Sequence, residues 1–392
     1  MINTFDQARS QTPARTFQSQ IGELNVNLSS DSDSIVQDFA RLYPPSLDPA
    51  PGPAIHMVVR RQGRSRLGRP LFRVYGDGEE IGGTLRRSEI FPYLEWGINL
   101  RIIASRPKYL QLHAASMARS GEGFIFAGSS GCGKSTLAAG LLARGWKYYC
   151  DEFAMIHPRT GHLHPYPKAL CIKSGSFPAL HRLSVPFAHR HHFVKRLKGR
   201  VGYIDPQSLG PHAIADPAPI RFVLFPKYES EAQPNLVPIS RAHALLELAG
   251  CTFNRHVYQD QLLPILGDVV RGAQCFRLTA GDLQHTCAFL ESRLSPWAAE
   301  PSSNIVPATG QLELDARPGI ESSRWIPNRR DVLRRGAQLV YVVPTVLTLQ
   351  SQAAFAGTSL PSGMCSTLVQ TGGLCATDPD CCSGDCDLGI CK

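Results

Sequence analysis

Phe124 to Gly145 reads FIFAGSSGCGKSTLAAGLLARG. Within it, Gly128-Ser129-Ser130-Gly131-Cys132-Gly133-Lys134-Ser135 fits G-x-x-x-x-G-K-[ST], the phosphate loop. The apolar run Phe124 to Ala127 reads as a buried strand entering the loop. Lys134 to Ala143 reads as the helix leaving it, with Gly145 as its stop. Glycines let the backbone fold round a phosphate so that N–H groups point inward, and the helix N-terminus adds a positive dipole end. Residues Gly128 to Ser135, with Thr136 behind them, are the expected nucleotide-binding set. Lys134 is expected to reach the outer phosphates of ATP, and Ser135 to offer its hydroxyl to Mg2+.

The strand–turn–strand pattern before the loop, Tyr109 to Ala118 and then a turn over Arg119 to Gly123, places His113 beside it. After the helix come Lys147-Tyr148-Tyr149-Cys150, then Asp151-Glu152, then Phe153 to Ile156. Two carboxylates at the end of an apolar strand beside a phosphate loop offer a metal ligand and a general base. Seventeen residues take the chain from Lys134 to Asp151, enough for one helix returning to the neighbouring strand.

This arrangement of His113, the loop and Asp151-Glu152 resembles the catalytic domain of HPr kinase/phosphorylase, a family of protein serine kinases whose nucleotide site is similar to that of phosphoenolpyruvate carboxykinase. The resemblance runs from about Phe17 to Leu294 in a looser, related form, and FPYLEWGINL from Phe91, LHAAS from Leu112 and RFVLFPKY from Arg221 also look like that related group. It implies an α/β, HPr-kinase-like core that binds ATP and Mg2+. Asp151 then corresponds to the base for the acceptor hydroxyl, His113 to the residue pairing with that aspartate, and Lys134 to the phosphate-binding lysine. Ser135, Asp151 and Glu152 are the implied metal ligands. The family's usual Asp-Asp is Asp151-Glu152 here, and its downstream metal-binding Glu has no counterpart. The related group is associated with small modified peptides, so the implied acceptor is a protein or peptide. Lys173, in KALCIKSGS, is placed to steady the transferred phosphate. A non-catalytic ATP-binding scaffold and a small-molecule kinase are the alternatives.

The chain of 392 residues carries a net charge of +9. From Phe153 to Ile204 it has no Asp or Glu but nine Lys or Arg and seven His, and the remainder balances at 32 basic and 32 acidic residues. Such a belt fits phosphate contact, an acidic partner or a solvated loop, with zinc held by His189, His191 and His192 as a further alternative. No nucleic-acid recognition motif accompanies it, and no stretch is long and apolar enough to span a bilayer.

The expected organisation is a mixed α/β N-terminal region (1–105), suited to packing or homo-oligomer contact, and the catalytic domain (106–295). A Pro/Ser/Gly-rich linker (296–328) follows. Within 1–105, Ile21 to Leu28, His56 to Arg60 and Leu71 to Tyr75 read as strands. Pro92 to Ala104 reads as a helix with Trp96, Leu100 and Ile103 on its apolar face. Arg329 to about Leu360 resembles an export signal or peptide leader, with Arg329-Arg330, an apolar run from Leu339 to Leu349 and Ala354-Phe355-Ala356 as a cleavage site. Residues 361–392 hold Cys365, Cys375, Cys381, Cys382, Cys386 and Cys391 and resemble a cystine-knot mini-protein, whose size demands disulfides. Six cysteines allow fifteen pairings. Cys132, Cys150, Cys171, Cys251, Cys275 and Cys287 show no metal spacing and read as reduced thiols. A cytoplasmic kinase part with a tail that is cleaved and exported, itself the acceptor or a relative of it, reconciles ATP chemistry with disulfides; a zinc-binding appendage and an accidental gene fusion with no functional link are the alternatives.

Overall fold

The computed structural model describes residues 15–46, 54–105, 108–196, 199–294, 386–387 and 390–391. The chain divides into two units, Met1–Val343 and Pro344–Lys392. The first unit opens with a hairpin, β1 (Arg15–Ile21) and β2 (Leu24–Ser30), in antiparallel register from Arg15↔Ser30 to Ile21↔Leu24. The single strand expected over Ile21 to Leu28 is therefore split by a turn at Gly22. There φ is +58°, and an added Cβ would stand 2.8 Å from the Pro165 carbonyl. Helix α1 (Asp33–Ala40) follows, then β3 (Ala54–Arg64), β4 (Pro70–Gly76), β5 (Glu79–Glu80) and β6 (Leu85–Arg86). These strands form one sheet in the order β1-β2-β3-β4-β5, with β6 beside β4.

Helix α2 (Ile90–Ser105) packs on that sheet with Phe91, Leu94, Ile98 and Ile102 buried, and the expected Trp96–Leu100–Ile103 face is only half buried. The helix is apolar nearly all round, so periodicity does not choose its inner face. The small residue does: an added Cβ on Gly97 would lie 2.5 Å from Ile81 Cδ1 and 2.8 Å from Met57 Cε. The same rotation turns Glu95 inward.

The second sheet carries the phosphate loop. Strands β7 (Leu110–Arg119) and β8 (Glu122–Ala127) form a hairpin closed by Ser120 and Gly121, with φ of +52° and +78°, the geometry of a tight two-residue turn. The loop leads into α3 (Lys134–Leu142). After it come β9 (Lys147–Cys150), β10 (Phe153–Ile156) and β11 (His162–His164). A separate small sheet holds β12 (Leu170–Lys173), followed by α4 (Phe177–Arg182), with β13 (Phe193–Lys195) and β14 (Gly199–Ile204) in the order β12-β14-β13. The chain then adds β15 (Ala218–Tyr228), β16 (Asn235–Pro238), α5 (Arg241–Gly250), α6 (Arg255–Tyr258), α7 (Leu262–Gly272), β17 (Gln274–Ala280) and α8 (Leu283–Arg293). The order in the large sheet is β11-β10-β7-β8-β15-β17-β16, with β9 also on β7 and β11 also on β15. Strands β8, β15 and β17 run parallel, so the phosphate loop leaves the C-terminal end of β8 next to Pro226 to Tyr228.

Three apolar clusters hold these layers. One lies between α3, α8 and one face of the large sheet, and another under α5 and α7 on the opposite face. The third joins the N-terminal sheet and α2 to Phe153, Met155, Tyr166, Phe193, Val201 and Tyr203, so residues before 105 share a core with the phosphate-loop region. Cys132, Cys150, Cys171, Cys251, Cys275 and Cys287 are free thiols. In the C-terminal unit, β18 (Cys386–Asp387) pairs antiparallel with β19 (Ile390–Cys391), which sets Cys386 opposite Cys391. The linker, the leader-like segment and the rest of the cysteine-rich segment lie outside the described residues. No helix among the described residues is long and apolar enough to cross a membrane.

Phe124 anchors the phosphate-loop strand, stacked on Phe222 at 4.6 Å and edge-on to Trp146 at 4.7 Å, and it is 1% exposed. Phe124→Ala is expected to destabilise the protein by about 3–5 kcal/mol, measured by urea unfolding.

Candidate active site

The loop is shaped by glycine. Gly131 and Gly133 hold φ of +94° and +100°, a region costly for any residue with a Cβ. Helix α3 begins without a side-chain cap, so its first N–H groups remain for a ligand. Lys134, 7% exposed, folds its ammonium into the loop, with Nζ 2.7 Å from Gly128 O, 3.0 Å from Ser129 O and 3.8 Å from Cys132 Sγ. This fixes a positive charge within the loop's curve. Ser135 lines the cavity with Asp151 and lowers the pKa of its carboxyl. Thr136 lines the cavity, but its hydroxyl bonds Ser176 at 2.7 Å and so ties α3 to the turn after β12.

The two acids do not end a strand. They form an elbow between β9 and β10, both of which pair with β7: Cys150 faces Ser116, and Phe153 faces His113. The buried Ser116 hydroxyl secures the elbow by donating to Phe153 O at 2.9 Å. Within the elbow Asp151 meets the Cys171 N–H, which donates to Oδ2 at 3.4 Å. Glu152 turns towards His113, with Oε1 3.4 Å from Nδ1. The expected pairing of His113 with Asp151 is thus met by a contact with Glu152 instead, and the His113 ring stands edge-on to Phe253. The Tyr148 hydroxyl accepts the Asp151 N–H at 2.8 Å and lies 3.1 Å from Asp151 Oδ1.

Asp151 is 4% exposed. Burial pushes its carboxyl up from 3.8 to about 6. Lys168 opposes that rise, Glu152 and Glu95 add to it, and the nearby Ser135 hydroxyl lowers it. Ser130 to Ser135 of the loop, Asp151, Glu152 and His113 all line one cavity of about 790 Å³. Among the described residues no cluster of three or more His, Cys, Asp or Glu could hold a metal.

Sequence reasoning did not find Glu95. Its carboxylate, 4% exposed, accepts from Lys195 Nζ at 3.0 Å and from the Tyr203 hydroxyl at 3.0 Å, and Lys168 Nζ lies 3.8 Å away. Burial pushes Glu95 up, but Lys195 and Lys168 outweigh it and hold the carboxyl below its ordinary range. Burial likewise lowers Lys168, and Glu95 with its acidic neighbours more than restores it. The available signal was one acid inside the apolar run FPYLEWGINL. Among the described residues, three of the nine belt cations meet distant acids: Lys168 and Lys195 at Glu95, and Arg182 at Asp282, 3.1 Å away; His189 and His191 lie 3.6 and 3.4 Å from Asp38.

The fold and site together define an α/β protein with a phosphate loop and a buried aspartate at its helix. The family model described as SynChlorMet cassette protein ScmC matches residues 98–186, from the middle of α2 through the loop and the acidic elbow to just past α4. Among solved structures, the chain is similar to the Hpr(Ser) kinase/phosphatase from Coxiella burnetii. The identity is 13%, the match covers 47% of this chain and 93% of that one, and the TM-score is 0.23. No curated protein matches.

A buried carboxylate whose pKa is raised costs stability once ionised. Below about pH 4 Asp151 is protonated in both folded and unfolded states and the cost is absent; above about pH 6 it is ionised in both and the cost is complete. Asp151→Asn is therefore expected to stabilise the ligand-free protein by about 1–3 kcal/mol at pH 8 and to match wild type near pH 4, measured by urea unfolding across that range.

Proposed function

We propose that this chain is an ATP-dependent kinase that transfers the γ-phosphate to a serine hydroxyl of a protein or peptide. The observation that carries this reading is the Asp151 carboxylate. It is buried, poised near neutrality and lines the same cavity as Ser135 of the phosphate loop. Phosphoryl transfer asks mainly for positioning and charge neutralisation. The loop N–H groups and Lys134 would hold the nucleotide phosphates. Asp151 would take the proton from the acceptor hydroxyl, and the His113–Glu152 contact would orient the acidic elbow. Lys173 Nζ, 3.8 Å from where a Cβ on Gly131 would stand, would steady the phosphoryl group in transit.

Ser135, Asp151 and Glu152 give three oxygen-bearing side chains, which suits Mg2+ bound jointly with nucleotide phosphates rather than by protein alone. When bound, Mg2+ would neutralise charge on the phosphates. The acceptor in this reading is a peptide, the chain's own cysteine-rich tail among the candidates. The kinase part acts in the cytoplasm, alone or as a homo-oligomer, and the tail is cleaved and exported. The second reading, a nucleotide-binding scaffold, is favoured by Lys134 being closed onto the loop's own carbonyls.

Transfer of label from γ-labelled ATP to polypeptide separates the two. The wild-type chain is expected to label a polypeptide, and Asp151→Asn to lower the rate by about 10²–10⁴-fold while still binding nucleotide. Nucleotide binding without any transfer by the wild type would decide for the scaffold, and label appearing in a metabolite would decide for a small-molecule kinase. Because the base must be ionised, transfer is expected to rise as pH increases through about 6 and to level off above it, read from a pH–rate profile.

A further inference from the structure

A line of cationic groups runs from the phosphate loop along one face of the small sheet. Lys173 on β12 sits opposite Val201 on β14, which sits opposite Phe193 on β13, two residues before Lys195. Period-two alternation puts Cys171, Lys173, Val201 and Lys195 on one face, and all four line the cavity. At the near end Lys173 reaches over Gly131. Midway, the Cys171 N–H meets Asp151. At the far end Lys195 Nζ lies 3.9 Å from Cys171 Sγ and 3.0 Å from Glu95 Oε2.

Lys134 already supplies the phosphate loop with its lysine, and Lys195 joins Lys173, assigned above to the phosphoryl group in transit, further along the same cavity wall. Lys173 makes no hydrogen bond or ion pair among the described residues. Lys195 has three N–H donors; Glu95 accepts one, and the Cys171 thiol is a weak partner for another. Its side chain is 27% exposed, towards the cavity, so a donor remains for an anion there. Glu95 does not line the cavity. It is fixed from behind by the Tyr203 hydroxyl and Lys168, and so sets where Lys195 stands.

We propose that Lys173 and Lys195 form a second oxyanion subsite beyond the phosphate loop, taking the tetrahedral phosphate of a phosphorylated serine or of inorganic phosphate, with Glu95 as the positioning residue for Lys195. The choice of occupant rests on the kinase reading above; the cation pair itself does not.

The test is isothermal titration calorimetry of the full chain with inorganic phosphate and with O-phosphoserine, with and without saturating MgADP. With MgADP on the phosphate loop, the wild type is expected to bind one phosphate. Lys195→Met and Lys173→Met should each weaken that binding by about tenfold or more, and Lys195→Arg should stay within about threefold of wild type. Glu95→Gln should reproduce the Lys195→Met loss from outside the cavity. Should Glu95→Gln fail to fold, Glu95→Asp keeps the charge, withdraws the carboxylate and should show the same direction of loss. Tighter binding of O-phosphoserine than of phosphate identifies the product as the occupant, and the reverse identifies the free ion. Absence of phosphate binding by wild type, or binding indifferent to both Met variants, overturns the subsite. Wild-type phosphate affinity in a folded Glu95 variant overturns the positioning role. Failure of the wild type to bind MgADP would sink the nucleotide reading instead, and the Lys195 dependence of phosphate binding without nucleotide would still decide the subsite.

Discussion

One carboxylate from the N-terminal half, Glu95, holds two lysines from the acid-free run. Burying Lys168, which is fully enclosed, without a counter-charge would cost several kcal/mol. With Glu95 present, the cost is offset by charge–charge attraction and by the Tyr203 hydrogen bond. That ion cluster sits where α2, the small sheet and the acidic elbow converge. Asp151 feels the cluster electrostatically: Lys168 opposes the rise that burial gives its carboxyl, and Glu95 adds to it. Buried ion clusters are weak contributors to net stability but demanding about geometry. Here that demand fixes how α2 meets the small sheet.

Local chemistry made parts of this legible from residues alone. The phosphate loop, its strand and its helix follow from glycine spacing and apolar runs, and the structure places all three there. The β7–β8 hairpin was legible because Ser120-Gly121 suits a turn with two positive φ angles. Asp151 was legible as an acid after an apolar strand. Its place beside Ser135 in the cavity was not, because the elbow depends on the Ser116 hydroxyl, more than thirty residues earlier in the chain. Helix α2 was legible as a helix, whereas its inner face was not: apolar residues surround it, and Gly97 chose the contact. Part of the belt read as excess charge because Glu95, which meets Lys168 and Lys195, and Asp282, which meets Arg182, lie far away in sequence.

Separation of the two acids at the elbow gives each its own surroundings. Asp151 is enclosed with Tyr148, Ser135 and the Cys171 N–H, whereas Glu152 is about a third exposed beside His113. Two carboxylates in one environment would repel and titrate together. Turning them apart leaves one deep and poised and the other nearer solvent, an arrangement that suits different tasks for the pair.

The hydrogen bond from Lys195 to Glu95 spans one hundred positions of chain. A fragment trimmed to begin after α2 would keep the phosphate loop and its acids but lose the carboxylate that holds Lys168 and Lys195. It would face folding with a stranded ammonium in an apolar setting. Grafting the loop region alone onto another scaffold meets the same obstacle, and substitution at position 95 is tied to compensating change at positions 168 and 195.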